Sequence, residues 1–221
     1  MSHSDPAELR EPYSGAPLRR SGLPAHPLDL FDAWFDEAAA EGLAEPNAMV
    51  LSTVDPDGTP RSRTVLLKGF DRSGLRFFTN YRSRKGRALL AEPRAAALFP
   101  WHAVRRQVIV TGRAERLSDA ENDRYFRSRP RGSQIGAWAS EHQSSPVAER
   151  SLLDERYAHW ERFWEGEPEV PRPDYWGGFR IVPAEVEFWQ GGTDRMHDRF
   201  RYRSAPAGAS GGSWEIDRLA P

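Results

Sequence analysis

The sequence predicts a mainly β fold with helices (α+β), an antiparallel sheet or barrel with the helices packed outside it. Three observations carry this expectation. About eight strand patterns follow one another through tight turns and do not alternate with helices, which argues against a doubly wound parallel fold. Helical periodicity is confined to four or five separate segments. No internal repeat is present, and apolar runs such as Ala95 to Leu98 and Val108 to Val110 fall far short of the ~20 residues of a membrane span.

Residues 1–26 are polar and rich in Pro, Gly and Arg, and read as a mobile arm preceding a single domain over 27–221. Leu28, Phe31, Trp34, Phe35 and Ala38 recur at helical spacing and predict a helix over 28–41. Residues 48–54 predict a strand, and Asp55-Pro56-Asp57-Gly58 a turn into a second strand over 61–70. Asp71-Arg72-Ser73-Gly74 turns the chain again, into a strand over 75–80. Ser83 is the expected cap of a helix that carries Leu89 and Leu90 and stops before Pro93. Two strands follow, over 95–101 and 107–117. Ser118-Asp119-Ala120-Glu121 is a capping box for a helix to about Arg127, and Pro146 is expected to begin a longer helix. After a linker over 165–174 come strands over 176–189, 198–204 and 213–218, the last two joined by a flexible loop, residues 205–212.

Composition excludes several kinds of function. Thirty-one basic against 32 acidic residues give a net charge of −1, so no global excess draws nucleic acid or an anionic membrane. Zero Cys excludes disulfides, thiolate metal sites and a Cys nucleophile. The six His are scattered, and no metal site is expected. Hydrolase, zincin, P-loop and dinucleotide fingerprints are missing. No apolar stretch follows the N-terminus, so a secretory signal is not expected and a cytoplasmic location is. Only Lys68 and Lys85 among the basic residues are lysines. Codon drift toward Arg accounts for the general excess, and sites that need a compact point charge resist that drift.

What remains is cations and hydroxyls placed for phosphate. Ser83-Arg84-Lys85 puts two cations at a helix N-terminus, where positive charge is disfavoured unless an anion sits among them. Arg63 and Lys68 bracket the apolar centre of a strand, and strict alternation puts them on opposite faces unless a bulge intervenes. Tyr125, Arg127, Arg129, Arg131 and Ser133 surround a turn at Pro130 and Gly132, a group suited to a phosphate monoester. After Gly191-Gly192, an extended chain projects Arg195, His197 and Arg199 to one side. Two phosphate clusters, aromatic residues and no nucleophile point to a phosphorylated cofactor that carries the chemistry for a phosphorylated substrate.

Taken in order, RTVLLKGFD, FFTNYRSRKG, FPWHAVRRQVIVTG, YFRSRPRGSQIGAWAS, YWGGFR, EFWQGG, RMHDRF and the terminal WEIDRLAP resemble the pyridoxine/pyridoxamine 5′-phosphate oxidase family over about residues 26–221. The resemblance implies an FMN-binding split β-barrel working as a homodimer, with FMN at the subunit interface. It implies oxidation of pyridoxamine or pyridoxine 5′-phosphate to pyridoxal 5′-phosphate, hydride leaving C4′ for flavin N5, with O₂ as acceptor and H₂O₂ released. By the same resemblance, Arg63, Thr64, Val65, Leu66, Leu67, Lys68, Phe78, Thr79, Arg84, Lys85, Gln107, Gln143, Ser144, Trp189 and Arg199 match FMN-contacting positions. Lys68, Tyr125, Arg129 and Ser133 match those that hold the substrate phosphate. Arg195 and His197 match the catalytic positions over the substrate ring; in the arm, Leu9-Arg10-Glu11-Pro12-Tyr13 matches only in part the family's segment that folds over the active site, with Arg10 and Tyr13 as the expected lid contacts.

Beyond the arm, the sequence departs from the family pattern at three places. Phe78 stands where Tyr is usual, Met196 replaces the common Leu, and Glu141-His142 is one residue longer than the usual spacing before Gln143-Ser144. Three other readings stay open at this point: a related flavin oxidase of phenazine biosynthesis, a non-catalytic carrier of flavin or vitamin B6 phosphate, and a split-barrel reductase that uses a deazaflavin.

Overall fold

The computed structural model describes residues 13, 17–205 and 213–221. Its elements follow from local chemistry first. Helix α1, Pro27–Ala40, starts with Pro in its first turn, where no N–H is needed, and the His26 ring accepts from the Leu28 N–H at 3.2 Å. Strands β1 (Ala48–Val54) and β2 (Pro60–Leu66) pair antiparallel from Ala48↔Leu66 to Val54↔Pro60. β3 (Gly69–Asp71) pairs with β4 (Gly74–Asn80). The Ser83 hydroxyl caps α2 (Arg84–Ala91), and β5 (Arg94–Trp101) and β6 (Arg106–Arg116) follow. Helices α3 (Asp119–Ser128), α4 (Arg131–Ala139) and α5 (Ser151–Phe163) precede β7 (Trp176–Gln190), β8 (Asp198–Ser204) and β9 (Trp214–Leu219).

The strands are hydrogen-bonded in the order β2-β1-β5-β6-β7-β4-β3, with β8 added to β7 and β9 to β8. The β1–β2, β3–β4, β4–β7, β7–β8 and β8–β9 pairings are all antiparallel. The antiparallel, helix-decorated class expected from the turn chemistry is therefore the one observed.

The chain forms two compact units. One contains the chain up to Asn47, Leu98–Val110 and Ala184 onward. Its core is aromatic: Phe31 meets Phe99 at 4.9 Å between ring centroids, and Trp34 meets Phe188 edge-on at 5.2 Å. The Tyr202 hydroxyl donates to the Pro24 carbonyl at 3.0 Å, and burial pushes this phenol up to about 12. The other unit contains Ala48–Ala97 and Thr111–Pro183. There Met49, Leu51, Leu75, Phe77, Phe179 and Ile181 are buried between strands, and Phe126, Ile135, Ala137, Val170, Tyr175 and Trp176 form a cluster under α3 and α4.

Four local expectations are corrected. The predicted strand over 61–70 breaks after Leu66, because the Lys68 N–H turns to the Arg76 carbonyl at 2.8 Å and joins the β3–β4 hairpin. The turn at Pro130 and Gly132 opens a nine-residue helix, α4. The long helix expected from Pro146 begins at Ser151. The segment after Gly192 is not extended: Thr193–Arg195 form a 3₁₀ turn, with Asp194 and Arg195 left-handed at φ 54° and 66°. The loop of residues 205–212 lies, from 206 on, outside the described residues.

The capping box on α3 is fully formed. The Ser118 hydroxyl accepts from the Glu121 N–H at 3.3 Å, and the Glu121 carboxylate accepts from the Ser118 N–H at 3.0 Å. The Ser118 hydrogen bonds hold the Glu121 carboxyl below its ordinary range. Ser118→Ala is expected to cost about 1 kcal/mol of stability, measured by urea unfolding at neutral pH. A depressed carboxyl contributes stability above its unfolded-state pKa and loses it as pH falls through the folded value. The difference between variant and wild type therefore shrinks in acid.

Candidate active site

The second unit holds a cavity of about 390 Å³ whose lining includes Lys68, Lys85, Arg129, Tyr125, Ser133 and Gln143. Val65, Leu66, Phe78, Thr79 and Trp176 complete much of its wall. Among the described residues three cations line it and no carboxylate does. Desolvation is costly for such a group of like charges, and an anion is the natural complement.

Burial, then the neighbouring Arg63, pushes the Lys85 ammonium below its ordinary range, and its Nζ donates to the Thr79 hydroxyl at 3.4 Å. Burial likewise lowers Arg129 and raises the Tyr125 phenol. The Arg129 guanidinium carbon lies 4.7 Å over the Trp176 ring, and its Nη1 is buried with no hydrogen-bond partner among the described residues. A buried guanidinium N–H left unpaired is expensive, and a phosphate oxygen satisfies it.

Part of the cavity wall is a stack of aromatic rings. Phe78 lies on Tyr125 at 3.9 Å and 16°, and on Trp176 at 5.5 Å and 10°. Phe78 contributes its ring to this stack, as a Tyr at that position would, and nothing in the structure explains the missing hydroxyl. The long spacing before Gln143 is absorbed by a turn: the Asn80 amide donates to the Ser140 and Glu141 carbonyls at 2.7 and 3.0 Å, and Arg82 pairs with Glu141. Ser144 sits at φ 76°, and its hydroxyl accepts from the Arg84 N–H at 3.3 Å.

Arg84, of the Arg84-Lys85 pair that opens α2, and Arg63, at the start of the Arg63–Lys68 segment, each have protein partners. Arg84 Nε pairs with the buried Asp55 carboxylate at 2.8 Å, which Arg61 also approaches at 3.4 Å. Arg63 donates to the Leu51 carbonyl at 3.1 Å and the Thr53 hydroxyl at 2.8 Å. Of the neighbouring strand positions, Thr64 is exposed opposite Val50 and Leu67 is buried.

The first unit carries the other predicted residues. Trp189 and Arg199 are paired across β7 and β8, and Arg199 is held by Glu187 at 2.8 Å, which raises its guanidinium. The Trp189 and His197 rings lie 4.6 Å apart. Tyr13 packs on both, at 6.0 and 5.8 Å, and the Arg195 guanidinium lies 5.9 Å from the Tyr13 ring. Gln107 is a half-buried residue of β6. Arg10 lies outside the described residues. His197 Nδ1 accepts from the Gly192 N–H at 3.1 Å, so in the neutral ring the proton is on Nε2. Burial, then the charge of Arg195, lowers its pKa, and the ring is a donor through Nε2. Gly192 allows this loop to close, since a Cβ there would overlap the Met196 carbonyl.

Sequence reasoning missed Trp176, which lies in both the stack and the Arg129 contact, although WGGF was among the recognised motifs. Among the described residues no group of His, Asp or Glu could hold a metal ion, and no helix is long and apolar enough to cross a membrane.

An antiparallel sheet with outer helices, and a cationic pocket walled by stacked aromatic rings, define a split-barrel protein whose pocket is complementary to a phosphorylated ligand. Residues 35–164 match the family model described as pyridoxamine 5′-phosphate oxidase, and residues 176–221 match the pyridoxine 5′-phosphate oxidase C-terminal dimerisation region. The chain is 67% identical to the pyridoxine/pyridoxamine 5′-phosphate oxidase of Thermobifida fusca over the full length of both. It is 53% identical to that of Salinispora arenicola, over 98% of this chain and 96% of the other. Among solved structures, PhzG from Burkholderia lata superposes with a TM-score of 0.83 at 31% identity, over 91% of this chain and 95% of that one. A pyridoxamine 5′-phosphate oxidase-related, FMN-binding protein from Nostoc punctiforme shares the fold, with a TM-score of 0.70 at 17% identity over 90% of this chain and all of that one. The chain belongs to the pyridoxine/pyridoxamine 5′-phosphate oxidase family.

Proposed function

We propose that the protein is a cytoplasmic, FMN-dependent oxidase that converts pyridoxamine and pyridoxine 5′-phosphate to pyridoxal 5′-phosphate. It works as a homodimer with FMN at the subunit interface. For the amine the balance is substrate + O₂ + H₂O → aldehyde + NH₃ + H₂O₂; for the alcohol no water is consumed. The observation that carries this reading is the carboxylate-free cavity with the unpaired, buried Arg129 Nη1.

The residues fit both phosphates. The Arg63–Lys68 strand end, Phe78, Thr79, Arg84, Lys85, Gln107, Gln143, Ser144, Trp189 and Arg199 would hold FMN, with Lys85 and the start of α2 meeting its phosphate. Bound FMN supplies a two-electron acceptor that O₂ can reoxidise. Lys68, Tyr125, Arg129 and Ser133 hold the substrate phosphate and so limit the positions of the ring. Arg195 and His197 orient that ring and its 3-oxygen, His197 as an Nε2–H donor. Tyr13, packed against both, is the arm's contribution, with Arg10 beside it in the chain.

The test is to release the cofactor from purified protein, identify it, and assay peroxide with each phosphate ester. FMN, peroxide from either ester, and a species of twice the 25.1 kDa chain mass are expected. A deazaflavin, or no peroxide from either ester, overturns the reading. The PhzG likeness makes phenazine precursors the substrates to run beside the two esters.

A further inference from the structure

Helix α3 ends at Ser128 and α4 begins at Arg131, so Arg129 sits on a two-residue connection. The last carbonyls of a helix have no intrahelical donors, and a turn this sharp must find them elsewhere. The Arg129 N–H donates to the Phe126 carbonyl at 3.2 Å and the Ser128 hydroxyl to that of Tyr125 at 2.7 Å, and one buried side chain supplies much of the rest. Gln134 Nε2 lies 3.1 Å from the Phe126 carbonyl oxygen, 3.3 Å from that of Arg127 and 3.0 Å from that of Arg129. Its two N–H bonds are shared among three acceptors, and the residue is only 9% exposed. The Gln134 backbone N–H donates to the Pro130 carbonyl at 3.1 Å. These bonds tie the first turn of α4 to the end of α3 on both sides of Arg129.

An arginine side chain has many rotamers, and where its guanidinium reaches depends first on how its own peptide unit is held. Here the Arg129 carbonyl is one of the three oxygens that Gln134 holds. The guanidinium lies over Trp176 at 4.7 Å and near Phe126 at 5.6 Å. The same tie sets the register of α4, whose first turn carries Ser133. We propose that Gln134 is the positioning residue of the phosphate clamp: its amide holds the α3–α4 connection so that Arg129 and Ser133 meet a phosphate monoester together. This rests on the reading of Lys68, Tyr125, Arg129 and Ser133 as that clamp. Gln134 itself touches no substrate and acts through Arg129.

The experiment compares wild type, Gln134→Met and Arg129→Ala as full-length, FMN-loaded protein. Met keeps the length of the side chain and removes both donors. Steady-state kinetics with pyridoxine 5′-phosphate are set beside those with pyridoxine, and calorimetry gives the affinity for pyridoxal 5′-phosphate against pyridoxal. For Gln134→Met the KM for the phosphate ester is expected to rise about tenfold with kcat close to wild type. The affinity for pyridoxal 5′-phosphate falls by the same factor, and that for pyridoxal does not change. A merely structural role would lower the melting temperature and affect phosphorylated and unphosphorylated ligands alike, and that result overturns the proposal. If the Met variant does not load flavin, Gln134→Leu is measured in its place with the same expectations. Should Arg129→Ala keep the preference for phosphorylated ligands, the clamp reading itself fails. Should Arg129→Ala lose that preference while the Gln134 variant keeps it, the clamp stands and the positioning role alone is wrong.

Discussion

Arg195→Ala is expected to slow anaerobic reduction of the bound flavin by pyridoxamine 5′-phosphate by about 10²-fold or more, with flavin loading and phosphate affinity retained. The size is that of removing one preorganised charged donor from a site where charge develops in the transition state. Arg195 occupies the left-handed region at φ 66°, and Asp194 before it does so at 54°. Two consecutive non-glycine residues there cost roughly 1–3 kcal/mol each and persist only where the surroundings hold them. The 3₁₀ turn, the Met196 N–H bond to the Thr193 carbonyl at 2.9 Å and the Tyr13 ring do so. No hydrophobic contact of the core depends on the exposed Arg195 side chain, so the variant folds. Stopped-flow absorbance reads the bleaching directly. If it bleaches as fast as wild type, Arg195 has no catalytic role.

Gly192→Ala is expected to lower kcat/KM by about 10²-fold, because it displaces the loop that carries both Arg195 and His197. A Cβ on residue 192 would overlap the Met196 carbonyl oxygen and stand 2.9 Å from its carbon. Both atoms are backbone, so no side-chain rotation relieves the contact, and the loop must open. Opening it removes the Gly192 N–H bond to His197 Nδ1, and with it the preference for the Nε2–H form of the ring. The core of that unit is unaffected, since Phe188 and Phe200 are fully buried away from the loop. The melting temperature should therefore change little while the kinetics collapse. Near-wild-type kinetics would show that this loop geometry does not matter to the reaction.

The elements legible in the sequence are those whose signals are local. Strand β1 and its Asp-Pro-Asp-Gly turn, the Ser83 cap of α2 and the capping box of α3 all follow from residues within four positions of one another. Helix α4 was not legible, because Pro130 and Gly132 read as breakers. What sustains it is the burial of Ile135 and Ala137 in the cluster with Phe126, Val170 and Trp176. Arg84 shows the same limit at the site: its partner Asp55 is 29 residues away, and no spacing rule reaches it. The residue types of the phosphate site were readable because a phosphate monoester requires cations and hydroxyls, and the family motifs carried them.

Chain chemistry alone thus settled the antiparallel class, the family and the scarcity of lysine outside the phosphate positions. Both lysines do line the cavity. Folding settled which cations are already paired and which are not. Arg63, Arg84 and Arg199 each have protein oxygens as partners, whereas Arg129 Nη1 is buried with no partner among the described residues. Charge type is a property of the residue, but pairing and desolvation depend on distances between segments far apart in sequence, which only the packed chain brings together.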